Sequence, residues 1–165
     1  QSAWLLGTTV RQNILFGSRY DDERYHEVLR ACALEPDLEI LEFHDETEVG
    51  EKGTSLSGGQ KARIALARAF YSPARHILID DALSAVDAHT ARHLFQHCFC
   101  GPLARGRTII LVTHAVSLML PAAQYAVVMQ AGRVLAQGTP KELLQRGQVR
   151  DAIAERDLDL SLIHI

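Results

Sequence analysis

The sequence predicts an α/β fold: a mostly parallel sheet flanked by helices, preceded by an α-helical stretch, and incomplete as a domain. Three observations carry this. Residues 76–80, "HILID", and 108–113, "TIILVT", are apolar, β-branched runs with a helical pattern between them. Strand–helix–strand alternation of this kind implies parallel strands covered on both faces. Before them, residues 21–34 and 57–71 carry apolar residues at helical spacing.

The elements follow in order. "DDERYHEVLRACAL" opens with acids and places Tyr25, Val28, Leu29, Cys32 and Leu34 on one helical stripe. Pro36 starts a short segment with Leu38, Ile40 and Leu41. "HDETEVGEKGTSLSGGQ" is rich in Gly, Ser, Thr and charge and reads as loop. "SGGQKARIALARAF" is a helix that buries Ile64, Leu66, Ala67 and Phe70 and stops at Pro73. "HILID" is a strand, "AHTARHLFQHCF" a helix and "TIILVT" a buried strand. After a short helix, "YAVVMQ" and "RVLAQG" pair across a turn at Ala131–Gly132. "TPKELLQRG" is a helix with Thr139 as N-cap, Pro140 at its first position and Gly147 as its stop.

With 165 residues, 47% hydrophobic and 22% charged, the chain can bury one core. A net charge of −3 gives no strong pull toward nucleic acid or anionic lipid. The apolar runs are too short to span a bilayer. Three cysteines without a CxxC pair fit a reducing, cytosolic setting.

The sharpest chemical signal is "LSGGQ", Leu56 to Gln60. Two glycines admit close approach of an anion, Ser57 offers a hydroxyl, and a helix N-terminus points free N–H groups and positive dipole outward. About 20 residues later a strand ends in Asp80 and Asp81, with Asp87 beyond. Acids gathered at a strand end point to a metal or a catalytic site. His89, His93 and His97, with Cys98 and Cys100 beyond, share a helix face. They suit Zn²⁺ by ligand type, but no carboxylate or CxxC completes the set, so a polar surface stripe is the reading preferred.

Together these stretches resemble the ATP-binding cassette (ABC) ATPases, over about residues 1–147. "LSGGQ" is similar to their signature, "HILIDD" to the Walker B strand, and "SAVD", Ser84 to Asp87, to the D-loop. "LVTH" resembles the switch strand ending in a histidine, here His114. Gln1 with Trp4 resembles the Q-loop. "TEVGEKG", Thr47 to Gly53, resembles the loop before the signature in exporters, with Lys52 where Arg is common. "NILFG" and "GEKGTSLSGGQKARIALARA" look most like the C subfamily, the multidrug-resistance-associated proteins. "DDALSAVDAHTARHLF" is similar to their first nucleotide-binding domain.

The resemblance implies a P-loop NTPase-type core with a helical signature subdomain, ATP and Mg²⁺ as cofactors, and ATP-driven transport by a longer parent. It implies that Asp80 and Gln1 serve Mg²⁺ and that Asp81, His114 and Gln1 serve hydrolysis. Ser57, Gly58, Gly59 and Gln60 would hold ATP bound to a second cassette, with Ser84 and Asp87 at that dimer interface. The partners implied are that second nucleotide-binding domain, head to tail, and the transmembrane domains of the parent, with no nucleic acid. The location implied is the cytosolic face of a membrane. Two alternatives stay open: an ATP-gated channel or channel regulator of the same subfamily, and a soluble cassette ATPase of DNA repair or translation.

The phosphate loop GxxxxGK[ST] occurs nowhere in the sequence, so the chain is expected to be a fragment that binds ATP weakly by itself. Asp81 stands where active family members usually carry Glu, so this domain's own site is expected to be slow. The expected organisation is a Q-loop region at 1–16, a helical subdomain at 17–72, the C-terminal part of the ATPase core at 73–147, and a trailing helix or linker at 148–159. The last six residues, "LSLIHI", resemble a translated sequencing adapter and are expected to be non-native.

Overall fold

A computed structural model describes residues 3–50 and 55–145. Gln1, Lys52, Gly147 and the 148–165 tail lie outside them. The chain divides into two compact units, Gln1–His114 and Ala115–Ile165.

The first unit opens with helix α1, Val10–Leu15, capped by the Thr9 hydroxyl, which accepts from the Gln12 N–H. Helix α2 spans Asp22–Ala31, with Asp21 as N-cap and two acids in its first turn. Helix α3, Glu35–Glu39, is a short turn around Pro36. Helix α4, Gly58–Tyr71, is the longest among the described residues at 14 residues. The expected apolar stripes are the buried ones: Tyr25, Val28, Leu29, Cys32 and Leu34 from the α2 region, and Ile64, Leu66, Ala67 and Phe70 from α4. With Val10 and Ile14 of α1 they form one helical core. Ile40, offered as a companion of Leu38, is exposed instead, because α3 ends at Glu39.

The C-terminal end of α4 is closed by side chains from distant segments. Arg24 donates to the carbonyls of Phe70, Tyr71 and Ser72, and Arg107 to those of Phe70 and Ser72. These are carbonyls that a helix end leaves without intrahelical partners, and cations suit that end of the dipole. The Tyr71 hydroxyl donates to Arg19 O and accepts from Asp21 N–H, fixing the loop before α2.

Strand β1, His76–Asp80, pairs in parallel with β2, Thr108–Val112, in the register His76–Thr108 to Asp80–Val112. Helix α5, Ala88–Leu94, lies in the crossover. The expected helix over 88–99 changes character after Leu94: Phe95–Phe99 is a π-helical turn in which the Cys100 N–H reaches Phe95 O, five residues back.

Both strands were expected to be covered on two faces, and here the structure corrects the sequence reading. Ile77 and Ile79 are buried, but Leu78 is 75% exposed, and Ile110 and Val112 on the same face are exposed too. The apolar run is two-sided, yet among the described residues of this unit only one side of the pair is covered.

In the second unit, helix α6, Val116–Met119, precedes the antiparallel hairpin β3, Ala126–Gln130, and β4, Arg133–Gly138. The hairpin turns at Ala131 and Gly132, both at positive φ, which matches the twist of a two-residue connection. Helix α7, Pro140–Gln145, begins at Thr139, whose hydroxyl and N–H both engage the Glu142 carboxylate. Leu120, Ala136 and Leu143 form this unit's small core.

Candidate functional site

The signature stretch sits where α4 begins. Ser57 is the N-cap: its hydroxyl accepts from the Gln60 N–H at 3.1 Å, and the Gln60 side-chain oxygen accepts from the Ser57 N–H at 2.9 Å. This reciprocal capping box fixes the first turn. The Gln60 amide also donates to Asp37 Oδ1 at 3.0 Å, and Asp37 pairs with Arg63, so α3 is tied to the same turn. Ser57 and Gly58 remain exposed, while Leu56 is buried and anchors the loop.

Gly59 faces a different constraint. A Cβ placed on it would come 2.9 Å from the backbone oxygen of Ala85, whereas one on Gly58 would meet nothing within 4 Å. The start of α4 thus packs directly on the Ser84–Asp87 turn, and only glycine lets the two backbones approach this closely. Residues 57–60 and 84–87, singled out separately from the sequence, are neighbours.

The acid-ended strand delivers Asp80 to the C-terminal end of β1, exposed and on the open face of the sheet. Asp81 follows at φ +47°, in the left-handed region. Its N–H donates to Val112 O at 2.8 Å, and its carbonyl accepts from the Ser84 hydroxyl at 2.9 Å. Because β1 and β2 run parallel and in register, Val112 lies opposite Asp80, and His114, two residues on, falls at the same end of the sheet. Strand pairing fixes Asp80, and Asp81 and His114 follow in the bends just beyond the two strand ends.

Asp87 caps α5. One carboxylate oxygen accepts from the N–H groups of His89 and Thr90, each at 3.0 Å, and the other accepts from the Thr90 hydroxyl at 2.6 Å. These hydrogen bonds, led by the Thr90 hydroxyl, hold its pKa down at about 2. Two of the three histidines that follow are engaged with protein: His93 Nε2 lies 2.8 Å from Arg30 O, and the rings of His93 and His97 sit tilted with centroids 4.3 Å apart. Among the described residues no cluster of three or more metal-ligating side chains is present.

Two residues to which the sequence reading gave no role of their own, Asn13 and Arg68, bind the segment after Gln1 to α4. Asn13 is fully buried. Its side-chain oxygen accepts from Leu6 N–H and from Arg68, and its amide donates to the carbonyls of Leu6 and Thr9. Arg68 also donates to Asn13 O and Trp4 O, and its guanidinium lies 5.2 Å from the Trp4 ring centroid and 4.8 Å from that of Phe16. Burial pulls the Arg68 pKa down from its ordinary value. The available signal was position: Arg68 stands four residues after Ile64, a cation inside the buried stripe of α4. Trp4 and Phe16, 59% and 52% exposed, meet edge to face and form an aromatic surface over this clamp.

The loop of Thr47 to Gly53 is partly built into the fold. Thr47 and Val49 are buried, Glu48 bridges Thr9, and Val49 N–H donates to Thr8 O. Described residues 47–50 thus pair with 7–10 rather than standing free in solvent.

Comparison with known proteins matches residues 1–84 to the family model described as ABC transporter. "ABC transporter 7" of Pyricularia oryzae is 52% identical over 156 residues, which cover 94% of this chain and 9% of that protein. "ABC transporter ATP-binding protein/permease VMR1" of Saccharomyces cerevisiae is 55% identical over 151 residues, 92% of this chain and 10% of the relative. An "ATP-dependent bile acid permease" of the same yeast is 54% identical over 147 residues, 89% of this chain and 9% of the relative. The chain spans about a tenth of the length of the curated relatives it matches. Among the described residues no helix is long and apolar enough to cross a membrane. With half of its length inside the family model, the chain belongs to the ABC transporter family, within the ATP-binding domain.

Proposed function

We propose that this chain is the distal part of the first nucleotide-binding domain of a C-subfamily exporter, working at the cytosolic face of a membrane. In the whole protein, ATP would draw two cassettes together head to tail, and the pairing would drive transport by the transmembrane domains. The observation that carries the reading is the parallel β1–β2 register, which gathers Asp80, Asp81 and His114 at one end of the sheet.

The residues present fit Mg²⁺ and ATP by chemistry. Asp80 and Asp81 are hard oxygen donors of the kind Mg²⁺ takes, and the exposed start of α4 offers a positive dipole end to phosphate. Mg²⁺ would neutralise phosphate charge there. Asp80 would hold the ion, with Gln1 as the second contributor. Ser57, Gly58, Gly59 and Gln60 would face ATP on the second cassette, where Ser84 and Asp87 would line the interface. The exposed Trp4–Phe16 surface and the Thr47 to Gly53 loop would receive the intracellular loops of the membrane part.

Asp81 sets the rate. Its carboxylate is one methylene shorter than the Glu of active relatives, and a displacement near 1 Å costs roughly a hundredfold. This site would therefore hold ATP longer than it cleaves it, leaving His114 beside a slow centre. Asp81→Glu in the full-length parent, with the partner cassette's catalytic acid disabled, is expected to raise ATP turnover. Unchanged turnover there would sink the slow-site reading.

A further inference from the structure

Two cysteines far apart in sequence meet inside the first unit. Cys32, at the end of α2, and Cys98, in the π-helical turn after α5, are both fully buried, with sulfurs 3.6 Å apart. Cys98 Sγ also donates to Ala31 O at 3.1 Å, which holds its side chain against the end of α2. Cys100, two residues on, is exposed.

We propose that Cys32 and Cys98 form a dithiol site that a peroxide-class oxidant converts to an intramolecular disulfide, stapling α2 to the π-helical turn. A bonded pair sits near 2.05 Å, so the sulfurs need close by only about 1.5 Å. One thiolate first takes oxygen from hydrogen peroxide, giving a sulfenic acid and water. The second sulfur attacks the first, the S–O bond breaks, and a second water leaves. The sum is two thiols and one peroxide to one disulfide and two waters: each sulfur loses one hydrogen, and the O–O bond is reduced.

The same burial that brings the sulfurs together protects them. It pushes the Cys32 thiol well above its ordinary pKa, so Cys32 carries little thiolate in the closed fold, and neither sulfur is open to solvent. Oxidation therefore proceeds through local opening of α2 against the turn and is trapped when the two reclose.

The test uses the full chain in hydrogen peroxide, with urea held below the unfolding transition, followed by alkylation and non-reducing peptide mass mapping. The expected result is a Cys32–Cys98 linked peptide, with free thiols falling from the three of the sequence to one and returning with dithiothreitol. The link should form faster as urea rises within the folded range, and Cys100→Ser should leave it intact. Cys98→Ala should abolish it; should that variant fail to fold, the Cys100→Ser arm decides. No link, links that include Cys100, or separate overoxidation of the two sulfurs would overturn the proposal.

Discussion

The helical half of the first unit and its two-stranded sheet are built from similarly apolar sequence but close to different degrees. The helices α1, α2 and α4 bury their stripes against one another, and Asn13, Arg68 and the arginines at the end of α4 pair buried polar groups between them. The sheet buries Ile77 and Ile79 on one side and leaves Leu78, Ile110 and Val112 open on the other. Among the described residues the sheet is covered on one face, and the acids of the proposed site, Asp80 and Asp81, sit at its end.

The largest expected effect breaks the closed half. Asn13→Ala removes the acceptor shared by Leu6 N–H and Arg68, leaving buried donors unpaired at a cost of about 3 kcal/mol. Leu78→Ser on the open face should change stability by no more than about 0.5 kcal/mol. Urea unfolding of both variants measures the contrast, and equal losses would erase the distinction between the two halves.

A smaller effect probes where the halves touch. Gly59→Ala drives a methyl into Ala85 O and should destabilise by about 1–3 kcal/mol. Gly58→Ala, one residue earlier with open space around it, should be neutral or stabilise by up to about 1 kcal/mol. The order of the two urea midpoints reads the result.

The smallest effect is a pH dependence. Asp87 has a folded pKa of about 2 against an ordinary carboxylate near 3.8. Depression means that the capped form favours folding above the unfolded pKa, and that this contribution fades as pH falls from about 4 to about 2. A carboxyl titration of Asp87 by NMR should show the low midpoint, and Thr90→Val should raise it. An unchanged midpoint in Thr90→Val would show that the hydroxyl is not the main cause.

Much of this was legible in the sequence because local chemistry and long-range packing agree. The α2 and α4 stripes, the hairpin at Ala131–Gly132 and the Thr139 cap each express one periodicity or one hydrogen-bonding preference, whereas the Ser57 hydroxyl, read as an anion ligand, is the cap of α4. The contact of Gly59 with Ala85 was not legible, because it depends on how two loops meet. Arg68 was hidden by a rule of thumb that places arginine in solvent; its stem fits an apolar stripe while its head finds carbonyls and rings. The open sheet face was misjudged because a doubly apolar strand reports what it can bury, not what this chain supplies to cover it. Gln1, at the centre of the proposed chemistry, lies outside the described residues.

The positive φ of Asp81 has a consequence for evolution and for engineering. Short polar side chains tolerate the left-handed region better than longer ones, for which it costs on the order of 1 kcal/mol or more. Replacing Asp81 by Glu would lengthen the reach of the acid and strain the turn that carries it. Under the proposed slow-site reading, a lineage or a designer that lengthened this acid would trade some folding margin for reach, and Asp81 keeps the turn relaxed.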